Sequence, residues 1–297
     1  MRSNLSNRVH ATWTPALTAS TDAFISTPFL TACSSLQPPS GRALPVGFVG
    51  LKNLANQEKH YLADGEIHVW LADLTLPADR LATLAATLTV DEQERAARFR
   101  FPEHRDRFIA ARGGLRELLG AYLGDPAAAL RFRQGVRGKP ALAGEATGLH
   151  FNLSHSGNRV LYAVARREVG VDLEAMDRRV DEAAVAERVC TVREWTAFQA
   201  LPAERQRDAF FACWTRKEAV AKAIGEGLAS GLNTLDACFR EDAASDGRVS
   251  LRDAAGREWS VLNVPMESGW AGALAAAGTD WRWTLLGFFN QPGPAPR

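Results

Sequence analysis

One segment, CWTRKEAVAKAIGEGL (Cys213–Leu228), constrains this chain more than any other. It reads as an amphipathic helix. At 100° per residue, Phe210, Phe211, Trp214, Ala221 and Gly225 share one side, which should face a core. Glu218 falls among them, about 40° from Trp214. A carboxylate on a buried face costs on the order of several kcal/mol unless a cation or a proton compensates it. Whatever fold the chain adopts must supply that partner.

A second segment offers one. In VGVDLEAM, strand alternation points Val171 and Leu173 one way and Asp172 and Glu174 the other. Two carboxylates so placed lie about 7 Å apart along the strand. Their oxygens can converge on a hard cation such as Mg²⁺, which takes carboxylates, waters and phosphate oxygens together. If the helix packs its Trp214 side near this strand, Glu218 becomes a third acidic ligand. The plainer alternatives are a solvated strand face and a Glu218–Lys222 pair at i,i+4. Lys217, at the other edge of the helix face, is expected to snorkel to solvent or touch a phosphate.

Other stretches suit phosphate binding. HFNLSHSGN places Ser154 and His155 at a strand end before a turn, where hydroxyl, imidazole and backbone N–H groups can cradle an anion. In GVRGKPAL, Gly138 and Pro140 fix a turn around Lys139. EHRDRFIAARGGLR carries Arg105, Arg107, Arg112 and Arg116. Arg105 and Arg112, two helical turns apart, can share a face. Neither a Walker A loop nor GxGxxG occurs in these stretches, and no G-x-S-x-G elbow surrounds the serines.

The rest of the chain bounds the answer. The 297 residues carry a formal charge of +1, which gives no sign of bulk nucleic-acid binding. The cysteines, at 33, 190, 213 and 238, form no CxxC pair, which points to free thiols in a reducing cytoplasm. No apolar run approaches the roughly 18 residues of a membrane span, so a soluble, cytoplasmic protein is expected. Residues 1–64 are rich in Ser, Thr, Asn and Pro, with Asp22 the sole acid before Glu58. They read as a disordered extension, a passive tail rather than a targeting segment.

From Glu66 onward the pattern runs strand, helices, strands, helices, strands. EIHVWLADL alternates as a strand. TVDEQERAARF and TVREWTAF open with capping boxes, Thr89 with Glu92 and Thr191 with Glu194. Pro102 opens a longer helix that Gly113 and Gly114 should weaken. Further strands are expected at LRFRQ, GLHFNLSHS, RVLYAVARR, EVGVDLEAM, TLDACF, RVSLRD, REWSVLNV, WAGALAAA and WRWTLLGFF. Grouped helices and strands indicate an α+β fold. The division expected is an extension (1–64), an N-terminal half (65–160) and a C-terminal half carrying the acidic residues (161–290).

In order and joint spacing, GKP, FNLSHSG, GVDLE and WTRKEAVAKAIGEGL resemble the 4′-phosphopantetheinyl transferase superfamily, in its Sfp-type branch. The resemblance spans roughly Glu66 to Phe289. It implies two similar α+β halves in pseudo-twofold arrangement within a monomer. It also implies Mg²⁺-dependent transfer of phosphopantetheine from coenzyme A to a serine of an apo acyl or peptidyl carrier protein, releasing adenosine 3′,5′-bisphosphate. By motif, Asp172, Glu174 and Glu218 match the metal ligands. Glu218 and Lys222 are the alternatives for the base, and Lys139, His155 and Arg107 (or Arg112) match positions that hold coenzyme A phosphates. Arg178 and Arg179 are candidates for contact with an acidic carrier helix. The rival readings are a catalytically silent coenzyme A or carrier binder, a Mg²⁺-dependent nucleotide-pyrophosphate hydrolase, and a non-enzymatic interaction module.

Overall fold

The computed structural model describes residues 60–289, apart from 136–137, 144–146, 178–179, 226–230, 240–246 and 254. All of these described residues belong to one compact unit. The strands are β1 (Glu66–Asp73), β2 (Phe132–Gln134), β3 (Pro140–Leu142), β4 (His150–Ser156), β5 (Arg159–Ala165), β6 (Val169–Ala175), β7 (Val249–Arg252), β8 (Glu258–Val264), β9 (Trp270–Ala277) and β10 (Arg282–Phe289). The helices are α1 (Ala78–Ala85), α2 (Val90–Ala97), α3 (Pro102–Leu123), α4 (Glu182–Val189), α5 (Val192–Gln199) and α6 (Ala203–Ile224). The α+β order expected from the sequence is the order observed.

Two four-stranded sheets, β10-β1-β5-β4 and β6-β9-β8-β7, sit between two sets of helices. Strand alternation builds the layers. Ile67, Val69 and Leu71 of β1 and Leu161 and Ala163 of β5 meet Val169, Val171 and Leu173 of β6 and Leu274 of β9 in a central core. The opposite faces pack on helices. Trp70, Val160, Tyr162 and Val164 meet Ala111, Leu115 and Leu118 of α3. Trp259, Val261, Ala273 and Ala275 meet Phe210, Cys213, Val220 and Ala223 of α6.

Several local expectations change. Residues 60–64 fell within the expected extension, yet Leu62 is buried and the His60 N–H bonds to the Ala121 carbonyl at 3.0 Å. Residues 1–59 lie outside the described residues. The expected boundary at 160/161 falls inside β5, and β10 leaves the C-terminal half to pair in parallel with β1. Helix α3 runs unbroken through Gly113, where a Cβ would sit 2.6 Å from Leu84 Cβ. That glycine admits α1, a helix the sequence reading missed.

TLDACF forms no strand; Leu232–Thr234 makes a 3₁₀ turn instead. Its backbone is engaged elsewhere. The Ala237 and Cys238 N–H groups donate to Glu194 Oε1, each at 2.9 Å, and the Leu235 carbonyl accepts from Lys217.

Helix α6 is buried almost all round, including Arg216 and Lys217. The side that looked most buried on the wheel is the relative opening: Trp214, Glu218, Ala221 and Lys222 are all only half-buried. Lys217 does not snorkel. It is fully buried, 2.7 Å from Glu194, and donates to the carbonyls of Leu232 (3.0 Å) and Leu235 (2.5 Å).

Candidate active site

The site forms where β4, the edge of one sheet, runs beside β6, the edge of the other, under α6. No backbone ladder joins the two edges; side chains do. Asn152 Oδ1 accepts from the Val171 N–H at 2.9 Å. Ser154 Oγ donates to Asp172 Oδ1 at 2.8 Å. Ser156 Oγ donates to Glu174 Oε2 at 2.9 Å and accepts from the Ala175 N–H at 3.0 Å. Every second residue of β4 therefore reaches β6, and the two strands run in the same direction across this seam.

Gly170 sets the height of α6 above β6. A Cβ there would lie 2.2 Å from the Ala219 carbonyl oxygen and 2.4 Å from the Ala223 nitrogen, so only glycine permits this approach. The approach brings Lys222 Nζ to 2.5 Å from Asp172 Oδ1 and 2.9 Å from Ser154 Oγ. Lys222 thus pairs with Asp172 across the fold, where an i,i+4 pair with Glu218 was the plainer expectation. Burial, and after it the charge of Asp172, raises the Glu218 carboxyl above its ordinary value; Lys222 opposes the shift and Glu174 adds to it. These effects place all three carboxylates in one electrostatic neighbourhood.

Asp172 is 3% exposed, and both of its described donors serve Oδ1. Its Oδ2 is buried with no hydrogen-bond partner. A buried carboxylate oxygen left bare is costly, and a divalent cation satisfies it. Glu174 follows two residues on along β6 and Glu218 is within electrostatic reach, and carboxylate oxygens are the donors Mg²⁺ takes.

The expected phosphate-binding residues divide. The His155 ring lies exposed at the end of β4. Crowding by neighbouring atoms, followed by the charges of Lys222 and Arg107, lowers its pKa. Lys222 and Arg107 are therefore within electrostatic reach of His155. The alternative Arg112 is engaged elsewhere, 2.5 Å from Glu92 and stacked over Phe132. Arg105 pairs with Asp106 at the surface.

The Ser154 hydroxyl lies between Asp172 and Lys222. Lys139 binds the carbonyls of Val169 (3.1 Å) and Ala223 (3.0 Å), tying the start of β6 to the end of α6. Burial lowers its pKa to about 8, against the opposing charge of Glu168. Arg178 and Arg179 lie outside the described residues.

Among the described residues, ligand-type atoms of Cys190, Glu194 and Cys213 lie within 4.8 Å of one another. Here the chemistry does not suit a metal. Glu194 is already held by Lys217 and by the N–H groups of Thr191, Ala237 and Cys238. Burial pushes the Cys213 thiol well up, away from the thiolate that a metal needs.

Sequence reasoning passed over Asn152, Ser156 and Gly170. The signal for the first two was present: N-x-S-x-S puts three polar groups on one face of a strand.

An acidic cluster with a bare buried oxygen, with Lys, His and Arg in its electrostatic surroundings, has the chemistry that could take a metal-bound polyphosphate. Comparison with known proteins gives the family. Residues 77–167 match the 4′-phosphopantetheinyl transferase N-terminal family and residues 168–275 the 4′-phosphopantetheinyl transferase superfamily. The chain is 40% identical over 224 residues to the 4′-phosphopantetheinyl transferase HetI of Nostoc sp., covering 74% of this chain and 92% of that protein. It is 31% identical to a phosphopantetheinyl transferase of Thraustochytrium sp., covering 68% and 77%. It is 30% identical to the 4′-phosphopantetheinyl transferase Sfp of Bacillus subtilis, covering 55% and 75%. The chain belongs to the 4′-phosphopantetheinyl transferase superfamily. It is an enzyme that moves the 4′-phosphopantetheinyl group of coenzyme A to a carrier protein.

Proposed function

We propose that the transfer is Mg²⁺-dependent, that Asp172, Glu174 and Glu218 hold the ion, and that the acceptor is a serine of an apo acyl or peptidyl carrier protein. The observation that carries this reading is the bare, buried Oδ2 of Asp172 beside two further carboxylates. Bound there, the ion would supply charge neutralisation for the pyrophosphate of coenzyme A.

This chain's own residues do the rest. Lys222, paired with Asp172 at 2.5 Å, offsets charge on the phosphate oxygens as the bond to the leaving group breaks. His155 and Arg107 hold the remaining phosphates. The serine oxygen forms a bond to the β-phosphorus, and the bond from that phosphorus to the bridging oxygen breaks, releasing adenosine 3′,5′-bisphosphate. The hydroxyl proton passes to Glu218, a carboxylate at the opening of α6. Lys139 acts from behind, fixing β6 to α6, and its ammonium borders the phosphate region from there. The protein works as a monomer in the cytoplasm.

The test incubates the protein with coenzyme A, Mg²⁺ and apo carrier proteins from fatty-acid, polyketide and nonribosomal peptide synthesis, and weighs the carriers intact. A phosphopantetheine mass gain that chelator abolishes supports the reading. A gain that persists in excess chelator removes the metal from it. Adenosine 3′,5′-bisphosphate formed without any carrier would make the protein a hydrolase.

A further inference from the structure

The seam between the two sheets does more than join them. Ser154 and Ser156 each place one hydroxyl against one carboxylate of β6, Asp172 and Glu174 respectively. A hydroxyl has a single hydrogen to give. Ser156 Oγ accepts the Ala175 N–H, so the direction of its own hydrogen is fixed toward Glu174 Oε2. Ser156 is 2% exposed, so water does not compete for this bond. The Glu174 side chain is only half-buried, so its bond to Ser156 bears on which rotamers it samples.

We propose that Ser156 is a positioning residue for the metal site. It fixes the Glu174 carboxylate from behind, through a bond anchored on the backbone of the next residue, so that Glu174 meets the cation already oriented. The inference rests on the magnesium reading above and adds to it a residue outside the ligand set. Asn152 shares the seam but touches only backbone, at Val171, and supplies the contrast: it holds the sheets together and orients no ligand. Partners behind metal ligands of this kind typically change metal affinity about 10- to 100-fold when removed.

The experiment titrates Mn²⁺ into the full chain in the presence of coenzyme A and follows free Mn²⁺ by electron paramagnetic resonance. The set comprises the parent protein, Asp172→Ala, Ser156→Ala, Ser156→Thr and Asn152→Ala, with thermal unfolding of each. In Ser156→Ala, Mn²⁺ binding is expected to weaken about tenfold. Ser156→Thr, which keeps the hydroxyl, should recover most of that loss. Asn152→Ala should lower the unfolding temperature and leave Mn²⁺ affinity unchanged. Parent-like Mn²⁺ binding in Ser156→Ala, with binding lost in Asp172→Ala, would overturn the role of Ser156 and leave the metal site standing. A parent protein that binds no Mn²⁺ with coenzyme A present would overturn the metal site itself.

Discussion

Helix α6 carries two adjacent charged residues with opposite fates. Lys217 is fully buried and fully satisfied: Glu194 faces it at 2.7 Å, and two backbone carbonyls take its other protons. Glu194 in turn accepts from three N–H groups. Nothing at that centre is left for a ligand. Glu218, one residue on, is half-buried among like charges, and its neighbour Asp172 keeps an oxygen with no partner. A buried ion pair that closes on itself is architecture. A cluster of charges left open is a binding site whose missing term comes from outside.

The contrast is broken most severely by removing Glu194. Glu194→Ala leaves Lys217 buried and uncompensated and strips the Ala237 and Cys238 N–H groups of their acceptor. A loss of about 3–5 kcal/mol is expected in denaturant unfolding, enough to lower soluble yield. Asp172→Ala should do the reverse. Unfolding is expected to stay near the parent value, since relief of the bare Oδ2 and of like-charge crowding around Glu218 offsets the lost pair with Lys222. Transfer to a carrier should fall by about 10³-fold or more in a steady-state assay. A destabilised Asp172→Ala of parent activity would reverse the assignment of the two centres.

Gly170→Ala tests the element that both centres share. Its Cβ would meet the backbone of α6, and backbone has no rotamer with which to yield. Stability should fall by about 1–3 kcal/mol, and turnover should fall with it as Lys222 and Glu218 lift from β6. Normal turnover at reduced stability would show that the helix height is not what sets the site.

The smallest effect concerns a third lysine. The pKa of Lys139 is lowered to about 8 from the ordinary 10.5, so the unfolded chain holds more protons than the folded one between those values. Stability from this group therefore rises with pH across that window and is flat below it. Denaturant unfolding at pH 8 and at pH 10 should show that rise in the parent relative to Lys139→Met. An equal slope in both would assign the alkaline behaviour to other groups.

Much of this was legible in the sequence, and the remainder has particular causes. The period-2 and period-3.6 patterns separate strands from helices wherever one face is buried, which is why the order of elements emerged. The placement of Asp172 and Glu174 on one strand and of Glu218 and Lys222 on one helix could be read because strand alternation and helical spacing are local. The deeper side of α6 could not be read. The helix is buried nearly all round, so apolar residues fall on every side, and the two charges on its core side are satisfied by residues distant in sequence. TLDACF looked like a strand because β-propensity says nothing of a carboxylate that claims its N–H groups. Ser154 was assigned to a phosphate because a hydroxyl beside a histidine suits one. Only the pairing of β4 with β6 shows that it faces Asp172.

The parallel pairing of β10 with β1 bears on how the molecule is made. The first sheet needs β10, which is made after every other described strand, so the N-terminal half emerges with an unpaired edge along β1. Closing a loop of nearly the whole folded chain is slow compared with forming hairpins such as β4–β5. Until β10 arrives, that edge is open to other chains. A protein lacking β10 would keep every candidate site residue and still lack a finished first sheet.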